Sequence, residues 1–278
     1  MVDTARLLYR FLTLLLVTAA AAVPAAAAPS SASVTAARPV LNQPFDLLPL
    51  PDGKFVVTDL PANAVYELDP VHRTGRLLAR ISQARELERL KDGRLLVTSR
   101  ARVLALNRRT GKTTVYATAK NYLLGIALAP DGWLYGSENV PGSEQTTLVR
   151  IRGGTREVLA ELHGVHGILV TPNGLILGEA YAGRVLRFDP ATRKIDVLAA
   201  GLGNPGFALP AAAGGYFVSE FFGNRISHVW PDGRVTRVAK VLQPGPIVFD
   251  AAHHIVGVTL VPATLFRIIG GKARTIYS

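Results

Sequence analysis

Four acidic residues end short apolar runs and could together hold a metal ion. Asp59, Glu138, Glu179 and Glu220 lie about forty residues, or twice that, apart. Oxygen ligands of this kind suit Ca²⁺, Mg²⁺ or Mn²⁺, so the pattern predicts one divalent cation. A carboxylate at such a position can instead accept hydrogen bonds from backbone N–H groups of a neighbouring loop. Both interpretations stay open at this point.

A second group of polar residues comes just before other apolar runs. His166 directly precedes Gly167, where a general base could reach a bound ester or lactone, although a structural role fits the residue equally well. Arg85, Tyr122 and Asn204 occupy comparable places. The sequence therefore predicts His166 as a catalytic residue and the other three as residues that orient a small-molecule ligand.

Several familiar cofactor motifs are excluded. The sequence contains no cysteine, which removes disulfides, thiolate zinc sites and iron–sulfur clusters. Residues 201–206 match G-x-G-x-x-G, but the segment contains Pro205 and leads into an apolar run without a following helix. No G-x-S-x-G elbow is present. We expect no nucleotide, haem or iron–sulfur cofactor.

These polar residues are carried by a repeat. The turn pairs Asp52-Gly53, Asp92-Gly93, Asp131-Gly132 and Asn173-Gly174 recur about every forty residues, and Gly214-Gly215 and His253-His254 continue the series. An apolar run lies on each side of every pair. This pattern predicts a β-hairpin with a type I′ turn, which needs positive φ at both central residues.

Each repeat contains two further runs, the second more polar than the first, which gives four strands. Six such units fill residues 42–278. Four-stranded antiparallel units arranged radially form a β-propeller, because a closed ring protects the strand edges. The predicted fold is an all-β, six-bladed propeller. The longest interval contains residues 139–146, a loop that could be a lid or a tolerated insertion.

Residues 1–41 precede the repeats. Arg6 and Arg10, an apolar block and an Ala-x-Ala site ending at Ala28 predict a secretory signal peptide over residues 1–28. A membrane anchor is the alternative, since residues 11–28 carry no charge. Residues 29–41 are expected to be a linker or a closing strand, with residues 33–38 adding to the last blade unless side-chain packing closes the ring. We expect a secreted or periplasmic protein.

The charge of the chain restricts its partners. The formal net charge is +11, and removal of residues 1–28 leaves the chain strongly basic. A basic exported protein is attracted to anionic surfaces, so association with an anionic cell surface is possible. The lysines and arginines are scattered over turns and strand edges, which argues against nucleic acid as a partner. The oligomeric state is not predicted.

The repeat resembles a known group of propellers. Residues 51–59, Pro-Asp-Gly-Lys-Phe-Val-Val-Thr-Asp, resemble an NHL repeat, and residues 42–278 resemble the superfamily of SMP-30/gluconolactonase proteins, strictosidine-synthase-like proteins and virginiamycin B lyase. The resemblance implies a six-bladed ring with a site at one mouth. The chain has Asn42-Gln43-Pro44 where SMP-30 proteins carry a Glu-Gly-Pro segment whose glutamate ligates metal.

Two classes of function follow from these observations. The first is a divalent-metal-dependent hydrolase of lactones or esters, or a lyase, in which Glu138, Glu179, Glu220 and Asp59 hold the ion and His166 moves a proton. The second is a non-catalytic scaffold that binds a small molecule or a protein. Either function would use the rim of the central channel.

Overall fold

The computed structural model describes residues 38–278, which form 24 strands in six antiparallel sheets of four strands each. This confirms the predicted all-β, six-bladed propeller. The predicted signal peptide (1–28) and most of the predicted linker or closing strand (29–41) lie outside the described residues. Within residues 38–278, no helix has the length and apolar character needed to cross a bilayer.

Each blade is a meander in which consecutive strands pair. Blades 1 to 3 contain β1 (Pro44–Pro49), β2 (Phe55–Asp59), β3 (Ala64–Asp69), β4 (Thr74–Arg80), β5 (Ala84–Arg89), β6 (Leu95–Ser99), β7 (Arg102–Leu106), β8 (Thr113–Thr118), β9 (Leu123–Leu128), β10 (Leu134–Asn139), β11 (Thr146–Arg152) and β12 (Thr155–Leu162). Blades 4 to 6 contain β13 (Val165–Thr171), β14 (Gly174–Glu179), β15 (Arg184–Phe188), β16 (Ile195–Ala199), β17 (Pro205–Pro210), β18 (Tyr216–Glu220), β19 (Arg225–Val229), β20 (Val235–Lys240), β21 (Pro244–Phe249), β22 (Ile255–Thr259), β23 (Thr264–Ile269) and β24 (Lys272–Tyr277).

The hairpins occur at the predicted turn pairs, but their turn type was predicted wrongly. Gly53 has φ +80°, whereas Asp52 is not among the residues with positive φ, so the turn is not type I′. The Leu50 N–H donates to Lys54 O at 2.8 Å and the Gly53 N–H donates to Leu50 O at 3.1 Å. A type I turn followed by a left-handed glycine explains this three-residue loop. The backbone of Asp52 does not adopt a positive φ, and its side chain accepts a hydrogen bond from the Lys54 N–H.

The hydrophobic core lies between blades. Six clusters of buried residues are present, and each one takes its side chains from two neighbouring blades. Between blades 1 and 2, for example, Val56 and Val65 pack with Leu95 and Val97. Because each blade is covered on both faces, the apolar runs need no further layer to be buried.

Side-chain packing closes the ring. Leu47 and Phe55 of blade 1 pack with Val256 and Leu265 of blade 6, as the other interfaces do. The Tyr277 hydroxyl also donates to Pro39 O at 3.1 Å. Among the described residues, blade 6 consists only of β21 to β24. Of the segment predicted to add a strand, only Arg38 is described, and it is not in a strand.

Candidate functional site

Two faces of the propeller follow from the meander. The turns within the β1–β2 and β3–β4 hairpins, and their equivalents in other blades, lie on one face, which we call the hairpin face. The opposite face carries the loops between blades, and we call it the mouth. Near the mouth, the pairing of each innermost strand with its neighbour shifts register, for example between Ala84 and Leu87 of β5. Such bulges redirect side chains and are common beside functional sites.

Arg85 occupies one of these bulges and is buried, with 5% of its surface exposed. Its Cζ lies 3.9 Å from the centre of the Phe45 ring and 5.0 Å from that of Tyr122. Among the described residues it forms no ion pair, and its Nε has no hydrogen-bond partner. Stacking occupies the faces of a guanidinium and leaves its in-plane N–H donors available for a planar anion.

His166 occupies the corresponding bulge of β13 and is also buried. Burial, together with the positive charge of Arg85, lowers the pKa of His166 to about 3. The ring of Tyr181 lies edge-on to the imidazole, with 5.8 Å between ring centres. His166 is therefore a neutral imidazole near pH 7, within electrostatic range of the Arg85 guanidinium.

Glycines allow the blades to approach closely around His166. A Cβ added at Gly125 of β9 would lie 2.0 Å from the carbonyl oxygen of His166. A Cβ added at Gly167 would lie 2.3 Å from the carbonyl oxygen of Gly206. Real side chains do not tolerate such distances, so these two glycines set the position of β13 between its neighbours.

Of the residues predicted to orient a ligand, Tyr122 lies beside Arg85, whereas Asn204 lies in a separate loop. Tyr122 contacts Arg85 as described, and its hydroxyl donates to the Gln83 side chain at 3.3 Å. Asn204 has φ +60°, and its carbonyl accepts the Phe221 N–H at 3.1 Å. Within residues 38–278, no hydrogen bond joins the Asn204 side chain to Arg85 or Tyr122. The structure thus brings Arg85, Tyr122 and His166 together and gives Asn204 a role in its own loop.

Three of the predicted metal ligands are fully buried and hydrogen-bonded to arginine. Glu138 accepts two bonds from Arg156, at 2.7 and 2.8 Å. Arg184 and Arg225 bind Glu179 and Glu220 in the same way. Each carboxylate also accepts a backbone N–H from the loop that enters its blade, from Lys120, His163 and Gly203 respectively. These glutamates therefore tie the inter-blade loop to the third or fourth strand.

Asp59 takes the same place in blade 1 without an arginine. It accepts the backbone N–H of Asn42 at 2.7 Å, with longer contacts from Gln43 and Ala62. No group of three or more histidine or acidic side chains in residues 38–278 is arranged to hold a metal ion. The four carboxylates already have positive or N–H donors, so their present contacts do not fit a divalent cation. The metal site stays a prediction that these contacts do not favour.

A second set of acidic residues lies on β1 and β5, and the sequence analysis did not select it. Burial raises the pKa of Asp46 to about 8 and that of Glu88 to about 7. Burial and the neighbouring Asp46 raise the pKa of Glu86 well above its usual value. The Asp46 carboxylate accepts N–H groups of Leu47 and Leu87, both at 2.7 Å, and so links the two blades. Glu86 Oε1 has no hydrogen-bond partner among the described residues.

Two aromatic contacts of the site were also missed. Phe45, which stacks on Arg85, lies in the bulge of β1, one repeat before Arg85. Phe45 would have been found if the six repeats had been aligned at the second residue of each innermost strand. Tyr181 follows Glu179 in a turn, and its contact with His166 has no signal in the spacing.

The long loop of blade 3 lies on the mouth, as predicted. Its ends are joined by a bond from the Val140 N–H to Gln145 O at 3.1 Å. The Asn139 N–H donates to Tyr122 O at 2.7 Å, which ties the base of the loop to the site.

Comparison with known proteins gives likenesses of fold. No protein-family model and no curated protein matches the sequence. A gluconolactonase from Xanthomonas campestris superposes with a TM-score of 0.69 at 15% identity, covering 81% of this chain and 85% of that one. Virginiamycin B lyase from Staphylococcus aureus gives 0.62 at 16%, covering 88% and 87%. The calcium-binding protein regucalcin from Agrobacterium tumefaciens gives 0.64 at 15%, covering 78% and 82%. The fold of the superfamily suggested by the sequence is thereby confirmed.

The contacts of Glu138 predict how it responds to metal. Glu138→Gln removes the charge from the pair with Arg156, so we expect a loss of about 2 kcal/mol in unfolding free energy, measured by urea denaturation. Because the carboxylate is already hydrogen-bonded, EDTA or added Ca²⁺, Mg²⁺ or Mn²⁺ should leave the melting temperature of the wild type unchanged. Stoichiometric metal in the purified protein that disappears in Glu138→Ala would contradict this and support the predicted ion site.

The raised pKa of Glu88 predicts a pH-dependent stability. Its folded pKa of about 7 exceeds the ordinary 4.5, so its stabilising protonated form is fully present below about pH 4.5 and is lost as pH rises through 7. Glu88→Gln should therefore gain on the wild type between pH 5 and 8, on the order of 2 kcal/mol in urea unfolding. Glu161→Gln, the same change at an exposed position, should show no such gain. Parallel pH curves for wild type and Glu88→Gln would contradict the assignment.

Proposed function

We propose that this protein binds a small organic anion at the mouth of its channel, with Arg85 as the receptor. The observation that supports this most is a buried guanidinium without a carboxylate partner among the described residues. Burying a charge is costly unless it is paired, and most buried arginines in proteins have a counter-ion. A carboxylate ligand would provide one through two parallel N–H bonds.

The neighbours of Arg85 favour a ligand with an apolar or carbonyl-bearing body. Phe45 and Tyr122 offer aromatic surface beside the guanidinium. Neutral His166 can donate one hydrogen bond and accept another, and its low pKa keeps it from competing for the anion as a second charge. We also propose that the protein is exported, which rests on the signal-peptide pattern of residues 1–28.

Calorimetric titration with small carboxylates, from acetate to benzoate, tests the proposal. Arg85→Gln should weaken binding by about 10- to 100-fold, because it removes the charge and the two-pronged donor. Arg85→Lys should recover only part of the affinity, since a lysine is a point charge.

Arg109→Gln is the matched control, because it makes the same change on the exposed hairpin face. The proposal fails if Arg85→Gln binds carboxylates as the wild type does. It fails equally if Arg109→Gln is as damaging as Arg85→Gln.

A second candidate function is hydrolysis or elimination on a lactone or ester at the same place. The observation that favours it is the neutral His166 beside a cation, because an arginine can stabilise a developing oxyanion while an imidazole accepts a proton. The structural neighbours include a gluconolactonase and a lyase, although their likeness concerns the fold. The four carboxylates are occupied by arginines or backbone N–H groups, so this candidate reaction includes no step that uses a metal ion.

Rates on a panel of lactones separate the enzyme from the scaffold. For the enzyme, His166→Ala should lower kcat by about 10²- to 10⁴-fold, the usual contribution of a general base, while carboxylate binding persists. Arg85→Gln should lower kcat and weaken binding together. Equal rates for wild type and His166→Ala would remove His166 from any mechanism, and the binding scaffold would remain.

A further inference from the structure

The hairpin face of blades 1 and 2 carries unpaired positive charge. Five exposed cations, which we call the basic patch, lie on neighbouring turns: Arg73, Arg89, Lys91, Arg109 and Lys112. Within residues 38–278, none of the five has a carboxylate partner.

The acidic residues nearest this patch are already engaged. Asp92 pairs with Arg94 at 2.8 Å, and Asp69 accepts the backbone N–H groups of Val71 and His72, both at 3.0 Å. Glu67 binds both Arg76 and Arg108, each within 3.1 Å. The positive charge of the basic patch is therefore not neutralised locally.

The turns of the patch are joined into one continuous surface. Arg108 on the outer turn of blade 2 reaches Glu67 of blade 1. Arg89 donates to the carbonyl of Pro49 in blade 1, and Lys91 donates to that of Pro130 in blade 3 at 3.1 Å. Both bonds are made by the charged ends of the side chains, Arg89 Nη2 and Lys91 Nζ, which are thereby held against adjoining blades.

Blades 4 to 6 differ on the same face. Several of their cations pair with acidic side chains, as Arg193 does with Glu157, Lys194 with Asp196, and Arg267 with Asp250, whereas exposed Lys272 beside the β23–β24 turn has no carboxylate partner among the described residues. Among these residues, unpaired cations are therefore more numerous on the hairpin face of blades 1 and 2 than on that of blades 4 to 6.

We infer that the basic patch docks the protein onto an anionic phospholipid membrane. Val71 lies on the same turn as Arg73 and is 80% exposed, so an apolar side chain accompanies the basic patch. Anionic headgroups attract such a cluster, and an apolar side chain at its edge enters the interfacial layer.

Vesicle co-sedimentation of the full chain tests this inference independently of the ligand site. Phosphatidylcholine vesicles are compared with vesicles containing about 30% phosphatidylglycerol, at about 0.1 M salt. If the apolar residues 11–28 contribute to vesicle binding, they do so equally in all variants. Binding to the neutral phosphatidylcholine vesicles measures that contribution. We expect the anionic vesicles to bind the wild type at least about tenfold more tightly.

The variants separate the patch from overall charge. Arg73→Gln/Arg109→Gln/Lys112→Gln should lose about tenfold or more in affinity for the anionic vesicles, and Val71→Ser about two- to threefold. The control, Arg237→Gln/Lys240→Gln/Arg274→Gln, removes the same charge from exposed positions of blades 5 and 6 and should bind almost as the wild type does.

Three results would overturn the inference. One is an equal loss in both triple variants, which would show attraction by net charge alone. Another is the absence of any preference of the wild type for anionic vesicles. The third is patch-dependent binding to dextran sulfate without vesicle binding, which would assign the face to an anionic polysaccharide instead.

Discussion

The packing of each blade against two neighbours is the constraint on which this structure depends. A four-stranded sheet has two apolar faces here, and six clusters between blades bury them in turn. The sixth cluster joins blade 6 to blade 1, so closure needs no shared strand among the described residues. Because all six innermost strands then surround one channel, residues that are far apart in sequence become neighbours at its mouth. Arg85, Phe45 and His166 meet for this reason.

The acidic residues at the ends of the second strands were expected to be metal ligands. In this chain they hold the inter-blade loops in place. Glu138, Glu179 and Glu220 each accept one backbone N–H and an arginine. A carboxylate with its lone pairs engaged in this way gives up strong bonds if it binds an ion, and its arginine is then left unpaired. Among the described residues, buried polar atoms without a hydrogen-bond partner include Arg85 Nε and Glu86 Oε1 at the bulge of β5, one strand further in, and Ser137 Oγ on β10. The proposed ligand site is based on the bulge of β5 for this reason.

The sequence was sufficient to predict the fold because its repeats give the number of strands. They also show at which end of a strand each residue lies. It placed the hairpins correctly at Asp52-Gly53 and its equivalents. It could not give the turn type, which depends on whether Asp52 adopts a positive φ or accepts a hydrogen bond. Nor could spacing reveal that Arg156, eighteen residues from Glu138, would occupy its carboxylate. Of the residues around the bulge of β5, the sequence analysis selected Arg85, Tyr122 and His166, whereas Phe45 and the acids Asp46 and Glu88 depend on side-chain directions set by bulges.

Burial leaves Arg85 as the dominant charge in its surroundings. Desolvation lowers the pKa of His166 to about 3 and raises that of Asp46 to about 8, so both are mainly neutral at pH 7, and it also raises the pKa of Glu86. An arginine guanidinium keeps its charge in a protein. The low dielectric of the site therefore strengthens the field of Arg85 instead of removing it. An anion that enters would meet a cation already stacked between aromatic rings, so little reorganisation would oppose its binding.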